Sequence, residues 1–125
     1  MNLKKLTWEE EVDVKAKEII RTKLKLRFHV RKIKELQEIK SFKQDMSYQF
    51  HLQNEYLREK YDLNLLQTTP EIDMNLEEID RLDKEVDELW EKIRILSKEE
   101  FETSNRLFSL KNDLSTFIQQ HEQEI

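Results

Sequence analysis

The feature that most limits what this chain can become is its shortage of turn residues. Glycine does not occur among its 125 residues, and proline occurs once, as Pro70. Glycine supplies the positive φ of tight turns and strand corners, and proline presets φ in loops. Average usage would bring about 7% Gly and about 5% Pro. A β-rich or α/β domain of this length needs several such positions, so long uninterrupted helices follow. The expected fold class is all-α: two long helices forming a coiled coil or an extended helical bundle. A hinge is expected near Thr68 and Pro70, and a candidate break near Ser97.

Charged residues make up 39% of the chain and hydrophobic ones 37%. Average domains hold about 45–50% apolar residues, so this composition suits a narrow buried seam better than a three-dimensional core. The absence of cysteine rules out disulfides, thiolate chemistry and cysteine-based metal sites. It also fits a soluble, intracellular protein in the cytoplasmic, cytoskeletal or nuclear space. The start Met-Asn-Leu-Lys-Lys-Leu has no sustained apolar run, so no signal peptide is read there. Nothing approaches the ~20 apolar residues of a membrane span.

Two helix starts can be read. Thr7-Trp8-Glu9-Glu10 matches a capping box, in which a Thr hydroxyl and a Glu carboxylate satisfy free backbone N–H groups. At Thr69-Pro70-Glu71, Thr69 caps, Pro70 suits the first turn, and Glu71 and Asp73 favour the positive end of the helix dipole. The expected organisation is a lead-in over 1–7 and a long helix over 8–64. A hinge over 65–70, a second helix over 71–121 and a tail over 122–125 follow. Ser97-Lys98-Glu99-Glu100 repeats the capping pattern, hence the candidate break.

The second helix carries the clearest periodicity. Ile72, Ile79, Val86 and Ile93 occupy a positions of a heptad, and Asn75, Leu82, Leu89 and Leu96 occupy d. β-Branched residues at a with Leu at d suit a two-stranded coiled coil. The frame meets Glu100 and Thr103 and resumes at Leu107, Leu110, Leu114 and Phe117. Together with Trp90 at a flanking e position, these are the expected partner-binding seam. Pairing two copies in parallel would set Glu78 against Asp83 and Arg106 against Lys111, which is mildly unfavourable. A different partner chain is therefore expected before a homodimer. Trp90 either anchors a neighbouring helix or widens the stripe of its own chain. Trp8 either staples the helix start or inserts into a partner.

The first helix reads differently. Val12, Ala16, Ile19, Leu26, Val30 and Ile33 form an early stripe. Farther on, Ile39, Phe42, Met46, Phe50, Leu57 and Tyr61 are expected on one face, and Tyr48, Leu52, Tyr56 and Leu63 on another, about 200° away at 100° per residue. A helix apolar on two faces needs cover on both. This part is therefore expected to sit in a bundle of three or more helices, at least one from another molecule.

Residues 15–34 hold nine basic groups, Lys15, Lys17, Arg21, Lys23, Lys25, Arg27, Arg31, Lys32 and Lys34, against Glu18 alone. Residues 71–100 hold twelve acidic and five basic groups. The basic stretch can meet an acidic protein surface or phosphates, or stand as a solvated flank. A chain folded back near residue 69 would set it against 104–123, which is nearly neutral and would leave it uncompensated.

Catalysis is not expected. Without glycine there is no phosphate-cradling loop, and neither a His-Glu-x-x-His pattern nor a Ser nucleophile setting occurs. His51, Glu55 and Glu59 share a helix face at four-residue spacing. The repeated Glu-x-x-His pairs of a di-metal bundle are missing, so ordinary surface pairing is the reading. The Glu9-Glu10-Glu11 run compensates the helix dipole. No cofactor, metal or small-molecule substrate is expected. The expectation is a non-catalytic coiled-coil subunit that binds other helical proteins in a heteromeric assembly of cytoskeletal, kinetochore or spindle, axonemal or tethering type. The alternatives are a nucleic-acid-associated protein using the 15–34 helix and a homodimeric spacer.

Overall fold

A computed structural model describes residues 6–124, so most of the 1–7 lead-in and the last residue of the tail lie outside the described residues. The fold is all-α. Helix α1 spans Trp8–Lys60 and helix α2 spans Pro70–Glu124, packed against each other. Among the described residues no helix is long and apolar enough to cross a membrane.

The starts follow the capping chemistry. The Thr7 hydroxyl accepts the Glu10 N–H at 3.2 Å, and the Thr69 hydroxyl accepts the Ile72 N–H at 3.2 Å. Helix α1 ends at Lys60, before residue 64. Asp62 adopts a left-handed φ of 48°, the Leu63 N–H reaches the Arg58 carbonyl at 2.9 Å, and the Asp62 N–H reaches Glu59 at 3.4 Å. This is the bonding of a Schellman end with Asp in the place usually held by Gly. Asn64 then organises the turn, its side-chain oxygen accepting from the N–H groups of Leu66 at 2.9 Å and Gln67 at 3.1 Å. A chain without glycine thus turns by using an Asp and an Asn that tolerate or mimic turn geometry.

No break occurs at Ser97. Helix α2 runs through it, Ser97 is exposed, and Glu100 and Thr103 hold the seam positions in frame, half-buried and buried. A capping box acts only where the backbone leaves the helix, and here the 3–4 spacing of inward residues carries on past it.

The chain divides into two compact units, one made of Met1–Lys32 with Leu96–Ile125, the other of Ile33–Ile95. In the second unit the helices run antiparallel. Lys43 pairs with Glu85, Ser47 with Asp83 and Asn54 with Asn75. Its core is Ile33, Leu36, Leu57, Ile72, Ile79, Leu82, Val86, Leu89 and Ile93, with Ile72 and Leu82 at 0 and 1% exposure. Burying side chains of this size contributes roughly 1.5–3 kcal/mol each.

The first unit is also antiparallel. Trp8 stacks on His121 with centroids 4.0 Å apart, Arg106 binds Glu18 at 2.6 Å, and His29 Nε2 lies 3.5 Å from Glu99. A turn at residue 69 would have set Glu18 against Gln120. It meets Arg106 instead.

Candidate protein-docking surface

The α2 positions read as a partner seam are covered by α1 of the same chain. In the second unit Ile72, Asn75, Ile79, Leu82, Val86, Leu89 and Ile93 are buried. In the first unit Leu96, Leu107, Leu110, Leu114 and Phe117 are half-buried. The pairing is antiparallel and within one chain, so the parallel contacts weighed from sequence do not arise. Trp90 stands outside this seam, 53% exposed, with the Lys40 ammonium 3.6 Å from its ring centroid. Trp8 is half-buried and stacks within the first unit on His121 and Phe117.

Helix α1 in the second unit turns an unusual side to α2. The positions at seam spacing are Ile33, Leu36, Lys40, Lys43, Ser47, Phe50, Asn54 and Leu57, all buried or half-buried. Half of them are polar. Each polar one is answered by a residue of α2: Lys40 by the Trp90 ring, Lys43 by Glu85 at 2.6 Å, Ser47 by Asp83 at 3.0 Å, and Asn54 by Asn75 at 2.8 Å. Asn54 also donates to the Ile72 carbonyl at 3.5 Å. Buried polar groups persist where such partners exist, since leaving one unmade costs about 1–3 kcal/mol.

The other side of this stretch is apolar and faces outward. Ile39, Phe42, Tyr48, Leu52 and Tyr56 are exposed, Phe42 and Tyr56 by 64 and 65%, and Met46 is half-buried. The two faces expected from sequence are therefore redistributed. Phe50 and Leu57 point inward, and Ile39 and Phe42 join the outward set. Tyr61 lies past the helix end and is exposed. What sequence reading could not settle is that Lys43, Ser47 and Asn54 would take the inner positions, because their partners lie 21 to 42 residues away.

Electrostatics brace the inner side. The Lys43 hydrogen bond, with Arg81 beside it, holds the Glu85 carboxyl below its ordinary value. Arg81 is pushed up, first by its hydrogen bond to Glu78. Arg94 holds Glu91 below its ordinary value through a bidentate pair at 2.6 and 3.0 Å.

The basic stretch is only partly engaged. Lys17 pairs with Asp13 at 2.8 Å, and Lys15 lies 5.1 Å from the Phe117 ring centroid. Arg21 and Lys25 line a groove of about 350 Å³ with Glu18, Thr22, Thr103 and Arg106. Among the described residues Arg21, Lys23, Lys25, Arg27, Arg31 and Lys34 make no ion pair, whereas Lys32 has a partner. Sequence reasoning passed over Ile20 and Leu24, which stand exposed among these cations beside Phe28. Their four-residue spacing was the available signal. Leu65 and Leu66 at the turn, 78 and 95% exposed, were missed as well.

Glu55 pairs with Arg58 at 3.0 Å, and no cluster of three metal-ligating side chains occurs among the described residues. No protein-family model, curated protein or solved structure matches this chain.

Proposed function

We propose that the chain is a non-catalytic helical subunit that binds other helical proteins within a larger intracellular heteromeric assembly, of cytoskeletal, kinetochore or spindle, axonemal or tethering type. The observation that carries this reading is the reversed stretch of α1, which keeps Lys43, Ser47 and Asn54 inside and presents Ile39, Phe42, Tyr48, Leu52 and Tyr56 outside. An exposed apolar set of this extent marks an interaction surface more often than a solvated one. Aromatic side chains also supply most of the anchoring energy of interfaces. Seam cover comes from within the chain, so the outer face is what a neighbouring helix would meet.

The test is affinity capture of the full chain with cross-linking mass spectrometry, run beside Phe42→Glu and Leu52→Glu variants. Cross-links near 39–56 and loss of the captured helical chain in both variants, at unchanged helicity, support the reading. A helical partner retained equally by both variants would contradict it.

A second reading rests on Arg21, Lys23, Lys25, Arg27, Arg31 and Lys34, which make no ion pair among the described residues and could meet phosphates. It predicts nucleic-acid binding that falls steeply with salt, and a gel shift absent even at low salt would sink it.

A further inference from the structure

Within the second unit the outward side of α1 carries one sign of charge. Counted from the seam, its outermost positions from Glu35 to Glu59 form three rows, each repeating every heptad. The central row is Glu38, Asp45, Leu52 and Glu59, all exposed. Phe42, Gln49 and Tyr56 lie to one side of it, and Tyr48 and Glu55 to the other. These rows hold no lysine or arginine. Among the described residues Glu38, Asp45 and Glu59 make no ion pair, while Glu55 is held by Arg58 at 3.0 Å. Aromatic rings and unpaired carboxylates thus share one surface.

The surface is hollowed around one ring. Two shallow grooves of about 490 and 450 Å³ flank Phe42. Glu38 lines both, Asp45 the first and Glu35 the second, with Lys34 at the N-terminal end of the first. A long basic side chain suits such a place. Its methylenes can lie along the Phe42 ring while its charge reaches Glu38 or Asp45. The same unit already makes one contact of this kind, the Lys40 ammonium standing 3.6 Å from the Trp90 ring centroid.

We infer that the occupant of this face is a basic amphipathic helix of another protein, its apolar residues on Tyr48, Leu52 and Tyr56 and its lysines or arginines on Glu38, Asp45 and Glu59. The inference rests on the docking reading above and names the chemistry of the partner. Along the helix Glu38 and Asp45 lie about 10 Å apart, and Asp45 and Glu59 about 21 Å. Partner cations one and then two heptads apart meet all three, with apolar residues between them. Charge weighs against the other occupants. The phosphates of a nucleic acid or an anionic bilayer would face three unpaired carboxylates, and so would an acidic helix. A second copy applied by the same face would set acid on acid. A wholly apolar helix would desolvate the carboxylates and give them no partner.

Two synthetic helices serve as probes of the full chain, alike in their leucines at four-residue spacing and flanked by either lysine or glutamate. Fluorescence anisotropy at about 0.15 M salt should show the lysine-flanked helix bound roughly tenfold tighter. Glu38→Lys with Asp45→Lys should reverse that preference. Glu77→Lys with Asp87→Lys makes the same change of charge on exposed positions of α2 in the same unit and should leave the preference in place. Leu52→Ala should weaken both probes. All five side chains are exposed, and circular dichroism checks that helicity is unchanged. Binding of neither probe, or a preference that follows Glu77 and Asp87 in place of Glu38 and Asp45, would overturn the inference. So would a chain that pairs with itself and loses the pairing in Leu52→Ala, since a second copy would then hold the face. If both probes bind equally and Leu52→Ala weakens both, only the charge inference falls. If Leu52→Ala weakens neither, the docking reading falls as well.

Discussion

The two units use the same heptad spacing but fill it differently. The second unit packs a nearly all-apolar α2 face, Ile72, Ile79, Leu82, Val86, Leu89 and Ile93, against α1 residues whose polar members each have a named partner. Among the described residues of the first unit the buried side chains are Ile19, Thr22, His29 and Thr103, so three of four are polar. Thr22 bonds to its own helix at the Glu18 carbonyl, and the buried His29 Nδ1 has no hydrogen-bond partner among the described residues. The larger apolar residues there, Val12, Leu26, Leu107, Leu110, Leu114 and Phe117, are only half-buried. One spacing thus gives a tight, register-fixed contact where polar groups are answered across the helices. It gives a looser contact where they are answered locally or left open.

The largest effect is expected at Leu82, one of the two deepest residues. Leu82→Ala should cost about 2–5 kcal/mol, the usual range for a well-covered leucine. Leu110→Ala, in the half-buried seam of the first unit, should cost well under half as much. Urea unfolding followed by circular dichroism separates the two, and equal losses would erase the distinction. Next come the paired amides. Asn54→Ala leaves Asn75 buried without its acceptor and should cost about 1–3 kcal/mol. Replacing both with Leu should recover the stability or exceed it while relaxing the register that the pair defines. Hydrogen exchange of residues 47–57 would show that relaxation.

A smaller effect is expected in the first unit with the opposite sign. His29→Leu fills a buried position with an apolar group and removes an unpartnered nitrogen, so stability should rise by about 1 kcal/mol. A loss would mean that the Glu99 contact at 3.5 Å matters more than the open nitrogen.

The smallest effect concerns pH. Glu85 has a folded value below its ordinary one, chiefly through the Lys43 hydrogen bond. Its contribution is present above the ordinary carboxylate range and fades as pH falls through the folded value. Thermal unfolding from neutral to acidic pH should show a shallower loss in Glu85→Gln than in the unaltered chain.

Legibility from sequence tracked the chemistry of each helix. The α2 seam was readable because β-branched and leucine residues alternate at 3–4 spacing. The helix starts were readable because a Thr three residues before a free N–H has one obvious role. The direction α1 faces was not, because apolar periodicity puts Ile39 and Phe42 on one face with Phe50 and Leu57 and says nothing of Ser47 and Asn54. The structure splits that face and turns Ser47 and Asn54 inward, since Asp83 and Asn75 reward the polar side and no local pattern encodes those distant partners. The end of α1 was misplaced for a similar reason. An Asp at a left-handed position leaves little compositional trace, unlike the glycine that usually stands there. Of the candidate docking surface, the residues 39–56 were legible as surplus apolar area. Ile20 and Leu24 were masked by the cations around them.

The central claim is that the outward apolar side of α1 is covered when the chain is associated, while the seam stays covered throughout. Hydroxyl-radical footprinting of the chain bound to its captured helical partner against the chain alone tests it most directly. Phe42, Tyr48 and Tyr56 should lose most of their reactivity on association, with Phe50 low in both states and Phe108 high in both. Equal reactivity of Tyr48 and Tyr56 in the two states would contradict the account.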